Sequence, residues 1–209
     1  MASEKGKIMD TALWTMFCIM FFTTLAVPGP NVAFSVAQSL HYGSRKASAA
    51  AIGFALGTGL HAVIVLSGVG LLAQKYEIIL HIIKWGGITL ILYQALKAFS
   101  VKPTELVTKR VTAATTKELI LGAIAVSCTN PKGIIASLLI YPAFVSPKLP
   151  YLPQAILLGI TAMTISLLVY GSYIQIAGQA KRLFNNQVAI SRIVGVVYVC
   201  VAIALAISI

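Results

Sequence analysis

The chain has 209 residues, of which 58% are hydrophobic and 10% are charged, and its mean hydropathy is +0.91. Soluble domains carry about 25% charged residues, so this composition excludes a soluble enzyme, a disordered chain and a disulfide-stapled secreted module. The 16 Lys and Arg against 5 Asp and Glu give a net charge of +11, but the bases are scattered between apolar runs. No nucleic-acid partner is therefore expected.

Six apolar runs predict an all-α integral membrane protein with six transmembrane helices. A helix needs about 20 apolar residues to cross the hydrocarbon core of a bilayer, and each run reaches or approaches that length. The runs cover approximately residues 11–40, 47–73, 82–99, 119–146, 152–176 and 188–209. We expect one transmembrane domain over 1–209, multi-pass in the cell (inner) membrane and in contact with its lipid.

The first run is too long to be one straight helix. Its 30 residues would extend about 45 Å, and the segment Pro28-Gly29-Pro30-Asn31 lies inside it. Neither proline has an N–H, so the carbonyls of Thr24 and Ala26 lose their helical partners. The helix is therefore predicted to break here, and irregular backbone at membrane depth survives only inside protein or beside a wet cavity.

The fourth run is interrupted in the same way, at Asn130-Pro131-Lys132-Gly133. Pro28 and Pro131 lie 103 residues apart, about half the chain. This spacing predicts two three-helix repeats, 8–100 and 117–209. Because each repeat has an odd number of spans, the second would be inverted across the membrane relative to the first. Paired interruptions of this kind indicate a transporter binding site. The alternative is that Pro and Gly are simply common in membrane helices.

Two ionisable side chains lie inside apolar runs, Lys132 and His61. Such groups usually face the bundle interior or an aqueous cavity, and Lys132 is predicted to bind a substrate carboxylate unless it snorkels to an interface. His61 is either a packing residue at the end of a small-residue ridge (Ala49, Gly53, Gly57) or a proton carrier, since its unperturbed pKa is about 6.5. Tyr93 in the third run either lines the pathway or bonds within the core.

No motif of enzyme chemistry is present in the sequence. The three cysteines fall in apolar runs without a CxxC pair, so no metal or disulfide is expected. Gly57-Thr58-Gly59 loosely matches a dinucleotide-binding pattern but lacks the strand before it and the acid after it. We therefore predict no enzyme, no cofactor and no metal.

The distribution of Lys and Arg predicts the orientation. Ten of the 16 bases fall on one side of the predicted bundle: Arg45, Lys46, Lys97, Lys102, Lys109, Arg110, Lys117, Lys181, Arg182 and Arg192. This side should be cytoplasmic, with a central cytoplasmic loop at about 98–118 and both termini outside the cytoplasm. The opposite orientation stays open if Lys5 and Lys7 dominate insertion.

These motifs resemble the LysE/RhtB family of amino-acid exporters, in order and over nearly the whole chain. The matching segments are Pro28-Gly29-Pro30-Asn31, Gly53-Phe54-Ala55-Leu56-Gly57 through His61, Gly87 through Tyr93 to Lys97, and Asn130-Pro131-Lys132. The resemblance implies export of amino acids or similar small metabolites, driven by the membrane potential or a proton gradient. Many members carry an Asp where this chain has Thr58, and Leu90 and Ala95 replace a frequent Tyr and Gly.

We therefore expect a neutral substrate, of the homoserine/threonine or branched-chain type, and alternating access coupled to the proton motive force. The residues expected to bind or pass it are Pro28, Gly29, Pro30, Asn31, Gly57, Thr58, Tyr93, Asn130, Pro131 and Lys132, with His61 exchanging the proton. Asn31, Asn130 and the freed carbonyls would bind the substrate ammonium. The alternatives are an exporter of another small solute or cation and a non-transporting membrane scaffold. The small-residue faces pack either within the chain or in a homodimer.

Overall fold

The computed structural model describes residues 7–68 and 114–181 continuously, together with single residues inside 85–100 and 192–206. Much of the predicted third and sixth spans, and most of the 98–118 loop, lie outside the described residues. All regular structure in the two continuous segments is helical. The helices are α1 (Thr11–Ala26), α2 (Pro30–Tyr42), α3 (Ser44–Leu66), α4 (Thr116–Cys128), α5 (Pro131–Ala143) and α6 (Tyr151–Lys181).

Both predicted helix breaks are confirmed. Pro30 and Pro131 are each the first residue of a new helix, a position that suits proline because its missing N–H would have no helical partner there. The axes of α1 and α2 differ by 60°, and those of α4 and α5 differ by 65°. Among the described helices, α3 and α6 are long and apolar enough to cross a membrane, and the count rises to four if each bent pair is one span.

Helix α3 lies at the centre of the described bundle and packs against both α4 and α6. The predicted ridge of small residues forms its contact with α4. A Cβ atom on Gly57 would lie 2.6 Å from Ser127 Cβ, and one on Gly53 would lie 2.8 Å from Ala123 Cβ. This ridge therefore packs inside the chain, where the absence of side chains lets two helix backbones approach closely.

An aromatic cluster joins α1 to α5. The rings of Phe17, Phe21, Tyr141 and Phe144 pack with centroids 5.2–5.7 Å apart. Phe17, Phe21 and Tyr141 are almost completely buried. The cluster therefore holds the first half of one bent pair against the second half of the other, next to the two breaks.

Candidate functional site

The two helix breaks meet at one cavity, which brings together residues more than 100 positions apart. Its volume is about 30 Å³, room for one or two water molecules. All six of these helices contribute to its wall, and Asn130 and two residues of the first break complete it. The lining residues are Phe21, Thr24, Leu25, Val27, Gly29, Asn31, Val32, Thr58, His61, Ser127, Asn130, Lys132, Gly133, Ala136, Ser137 and Tyr170.

The asparagines of the two breaks bond directly to each other. Asn130 Nδ2 donates to Asn31 Oδ1 over 3.0 Å, and Asn31 Nδ2 donates to the Tyr170 hydroxyl oxygen over 3.1 Å. All three side chains are buried. The side-chain oxygen and nitrogen of Asn31 thus connect the two breaks to α6. Asn130 Oδ1 is left as an acceptor without a partner among the described residues.

The carbonyls at the end of α1 also have partners from the second half of the chain. Lys132 Nζ donates to Val27 O over 2.9 Å, and the Tyr173 hydroxyl donates to Ala26 O over 2.6 Å. Of the carbonyls expected to bind a substrate ammonium, that of Ala26 thus accepts a hydrogen bond within the protein. Lys132 links the second break to the first and retains two further N–H donors.

His61 extends from α3 to the first turns of α5. Its side chain is 8% exposed, and its Nδ1 lies 3.5 Å from Ser137 Oγ. Nε2 has no hydrogen-bond partner within the described segments. One turn before it on α3, the Thr58 hydroxyl donates to Ser166 Oγ over 3.0 Å, so Thr58 lines the cavity and also ties α3 to α6.

The structure brings six of the eleven predicted site residues to the cavity wall: Gly29, Asn31, Thr58, His61, Asn130 and Lys132. The other five are not among its lining residues. Pro28, Pro30 and Pro131 shape the two breaks, and Gly57 packs on α4. Tyr93 is 60% exposed and lies away from the cavity wall.

Four polar lining residues were missed by sequence reasoning, namely Thr24, Ser127, Ser137 and Tyr170. The Thr24 hydroxyl donates to Met20 O of its own helix. Ser137 follows Gly133 by one helical turn, so the break motif and helical spacing together could have identified it. Tyr170 is a buried phenol within a long apolar helix, and its need for a hydrogen-bond partner was an available signal. Ser127 faces the small-residue ridge at Gly57, a contact that spacing alone does not predict.

The site is positively polarised. Neither α2 nor α5 receives a side-chain cap at its N-terminus, and the second and third residues of both helices line the cavity: Asn31, Val32, Lys132 and Gly133. Helix N-termini carry partial positive charge and free N–H groups, and Lys132 adds a full charge. The described lining contains no Asp or Glu. This arrangement favours a bound carboxylate and provides acceptors for an ammonium only through neutral side chains.

A comparison with protein families identifies the chain. The model of the LysE type translocator family matches residues 9–209. The chain belongs to this family. The resemblance noted in the sequence is thus confirmed. The members of this family are membrane transport proteins, which implies that the chain is a transporter and not an enzyme.

Curated relatives of this translocator match it at 26–27% identity. An uncharacterized membrane protein of Vibrio cholerae is 27% identical over 85% of this chain and 87% of its own. The homoserine/homoserine lactone efflux protein of Salmonella typhi is 27% identical over 78% and 80%. The leucine efflux protein of Salmonella choleraesuis is 26% identical over 79% and 78%. No solved structure matches the chain.

Proposed function

We propose that this translocator is a secondary active exporter of neutral amino acids. The observation that carries the proposal is the convergence of both helix breaks on one cavity, with two uncapped helix N-termini and Lys132 on its wall. Relatives of similar length are named for the efflux of homoserine and of leucine, which are neutral amino acids. The described lining has no carboxylate to pair with the side-chain charge of a cationic amino acid.

The substrate binds as a zwitterion in this proposal. Its carboxylate takes the N–H groups that begin α2 and α5 and the remaining donors of Lys132, because these are the positive groups of the wall. Its ammonium takes Asn130 Oδ1, the acceptor that Asn31 leaves free. Each charge of the substrate thus has a group of opposite polarity in the same cavity.

Transport proceeds by alternating access between two inverted three-helix repeats. The similar bends of the two broken pairs, 60° and 65°, support this reading, as does the 101-residue offset between the first residues of α2 and α5. In this proposal the half-helices on either side of the cavity separate to admit the substrate. Coupling is to the proton motive force in the inner membrane, with both termini outside the cytoplasm; a homodimer remains part of the proposal.

The test is efflux from proteoliposomes loaded with a panel of amino acids. We expect leucine, homoserine or threonine to leave faster than lysine or arginine under an imposed proton gradient. Asn130→Ala should abolish this efflux at unchanged protein content. Its control is Thr164→Ala, because the Thr164 hydroxyl bonds only to the carbonyl one turn before it on α6. Equal efflux by the Asn130 variant would contradict the site, and no efflux of any amino acid by the native protein would contradict the function.

A further inference from the structure

The polar groups of the cavity divide into paired and unpaired ones. Asn31, Thr58 and Lys132 all have protein partners. Two lining residues have a buried atom without a partner in the described part of the chain, Nε2 of His61 and Oδ1 of Asn130. Their side chains are 8% and 5% exposed. Unpaired polar atoms at such depth are costly and rare, so they indicate where a ligand supplies the missing bond.

The contact between Ser137 and His61 indicates which nitrogen of the imidazole carries the proton. Ser137 Oγ donates its single proton to Gly133 O over 2.8 Å, so towards His61 it can only accept. The 3.5 Å contact with Nδ1 is a hydrogen bond only when Nδ1 carries the proton, and we assign this tautomer to His61. In the neutral imidazole Nε2 then holds the lone pair, and both unpaired atoms of the site are acceptors.

Gly133 keeps the space between the two residues open. A Cβ atom at this position would lie 3.6 Å from His61 Cε1 and 3.6 Å from Asn130 Nδ2. One point beside the first turn of α5 is thus within van der Waals distance of both side chains. The space beside the first turn of α5 therefore borders both residues that carry an unpaired acceptor.

We infer that a proton and the substrate ammonium compete for the same atom, His61 Nε2, and that this exclusion couples export to proton entry. The inference rests on the proposed function. In the proton-loaded state Nε2 carries an N–H bond and has no lone pair to offer. When that bond breaks and the proton passes to water, the lone pair is free and accepts an N–H from the ammonium. One atom is thus used once per cycle by each of the two transported species.

The charges around His61 reinforce the exclusion. Helix α5 brings Lys132 and helix α6 brings Tyr170 to the cavity, whereas the lining residues of α1, α2 and α4 are not titratable. A protonated imidazole would already share the cavity with the Lys132 ammonium, and no acid of the described lining offsets either charge. A third cation at contact distance is repelled, so the ammonium binds only after the proton leaves.

The experiment measures binding of radiolabelled leucine to the purified full-length protein as a function of pH. Between about pH 4 and 7.5 leucine stays zwitterionic, so any change in affinity reports on the protein. Competition predicts that the apparent Kd rises up to tenfold for each pH unit below the titration of His61. Calorimetry in two buffers of different ionisation enthalpy should detect release of up to one proton for each leucine bound.

His61→Gln separates binding from coupling, since the amide can accept a hydrogen bond but cannot titrate. We expect a pH-independent Kd, retained leucine exchange across vesicles and complete loss of efflux driven by a pH gradient. Ser137→Ala removes the oxygen that accepts from His61 Nδ1, so the proton is no longer held on that nitrogen and the pH at which affinity falls should shift. Ser137→Thr keeps the hydroxyl and should retain the native profile.

Two results overturn the inference while leaving the exporter intact: a native Kd that does not change with pH, or a His61→Gln protein that keeps gradient-driven efflux. If the native protein neither binds nor exchanges any amino acid of the panel, the proposed function fails as well and the competition falls with it. The two failures are thus distinguished by the native protein alone.

Discussion

Gly133→Ala places a methyl group at the point shared by His61 and Asn130. The new carbon would lie 3.6 Å from His61 Cε1 and 3.6–3.7 Å from the Asn130 amide, ordinary van der Waals distances that require no shift. Replacing a helical glycine by alanine favours folding by up to about 1 kcal/mol. The variant should therefore insert and fold at least as well as the native protein.

The cost of this methyl group appears in substrate binding. In the proposed complex the ammonium occupies the space beside the first turn of α5, and the methyl takes part of that space and displaces the ammonium from its acceptors. A hydrogen bond to a charged group contributes about 1.5–3 kcal/mol, and every 1.4 kcal/mol is tenfold in affinity. We expect binding of the best substrate to weaken roughly 10- to 100-fold, with efflux at subsaturating substrate falling in proportion.

The assay compares efflux rates and binding curves with melting temperatures in detergent. Gly159→Ala is the matched control, because its Cβ would lie 3.6 Å from Ala62 Cβ and Gly159 is not among the cavity's lining residues. It should melt at or above the native temperature and transport normally. If Gly133→Ala is as stable as this control and exports within twofold of the native rate, the ammonium does not bind between His61 and Asn130.

Three further substitutions test other contacts. Gly53→Ala would bring its Cβ to 2.8 Å from Ala123 Cβ and overlap the α4 backbone, so the melting temperature should fall by an amount equivalent to about 1–3 kcal/mol; an unchanged melting temperature would contradict the close α3–α4 contact. Lys132→Met removes the donor to Val27 O and the cavity's full charge, and efflux should drop more than tenfold while Lys132→Arg retains part of it; a fully active Met variant would exclude Lys132 from the site. Thr58→Asp places a carboxylate in the wall, and export of lysine should rise relative to leucine, with Thr58→Asn as the uncharged control and an unchanged ratio as the refuting result.

The position of the helix breaks was predictable because proline acts locally. A missing N–H affects the carbonyl four residues earlier, so the ends of α1 and α4 can be inferred from a short stretch of sequence. The ridge on α3 was predictable for a similar reason, since small residues four apart lie on one helix face. The lack of an acid near the breaks could also be read directly from the letters.

The pairing of the polar groups was not predictable in this way. Which asparagine keeps a free oxygen depends on Tyr170, 139 residues from Asn31, and on how α6 is rotated against α2. The bond between Lys132 and Val27 joins residues 105 positions apart and changes the lysine from a free cation into a link between the two breaks. Such contacts depend on how whole helices pack against one another, and a single sequence motif does not predict that packing.

The sequence by itself therefore determined a membrane protein of apolar helices, the two broken spans and the family of translocators, because these follow from composition, backbone chemistry and motif order. The tertiary structure alone decided that six of the eleven predicted residues share a cavity wall and that His61 Nε2 and Asn130 Oδ1 lack partners there. The physical reason is that a hydrogen bond has a direction and a length of about 3 Å. Only the folded arrangement of the helices determines which donors meet which acceptors.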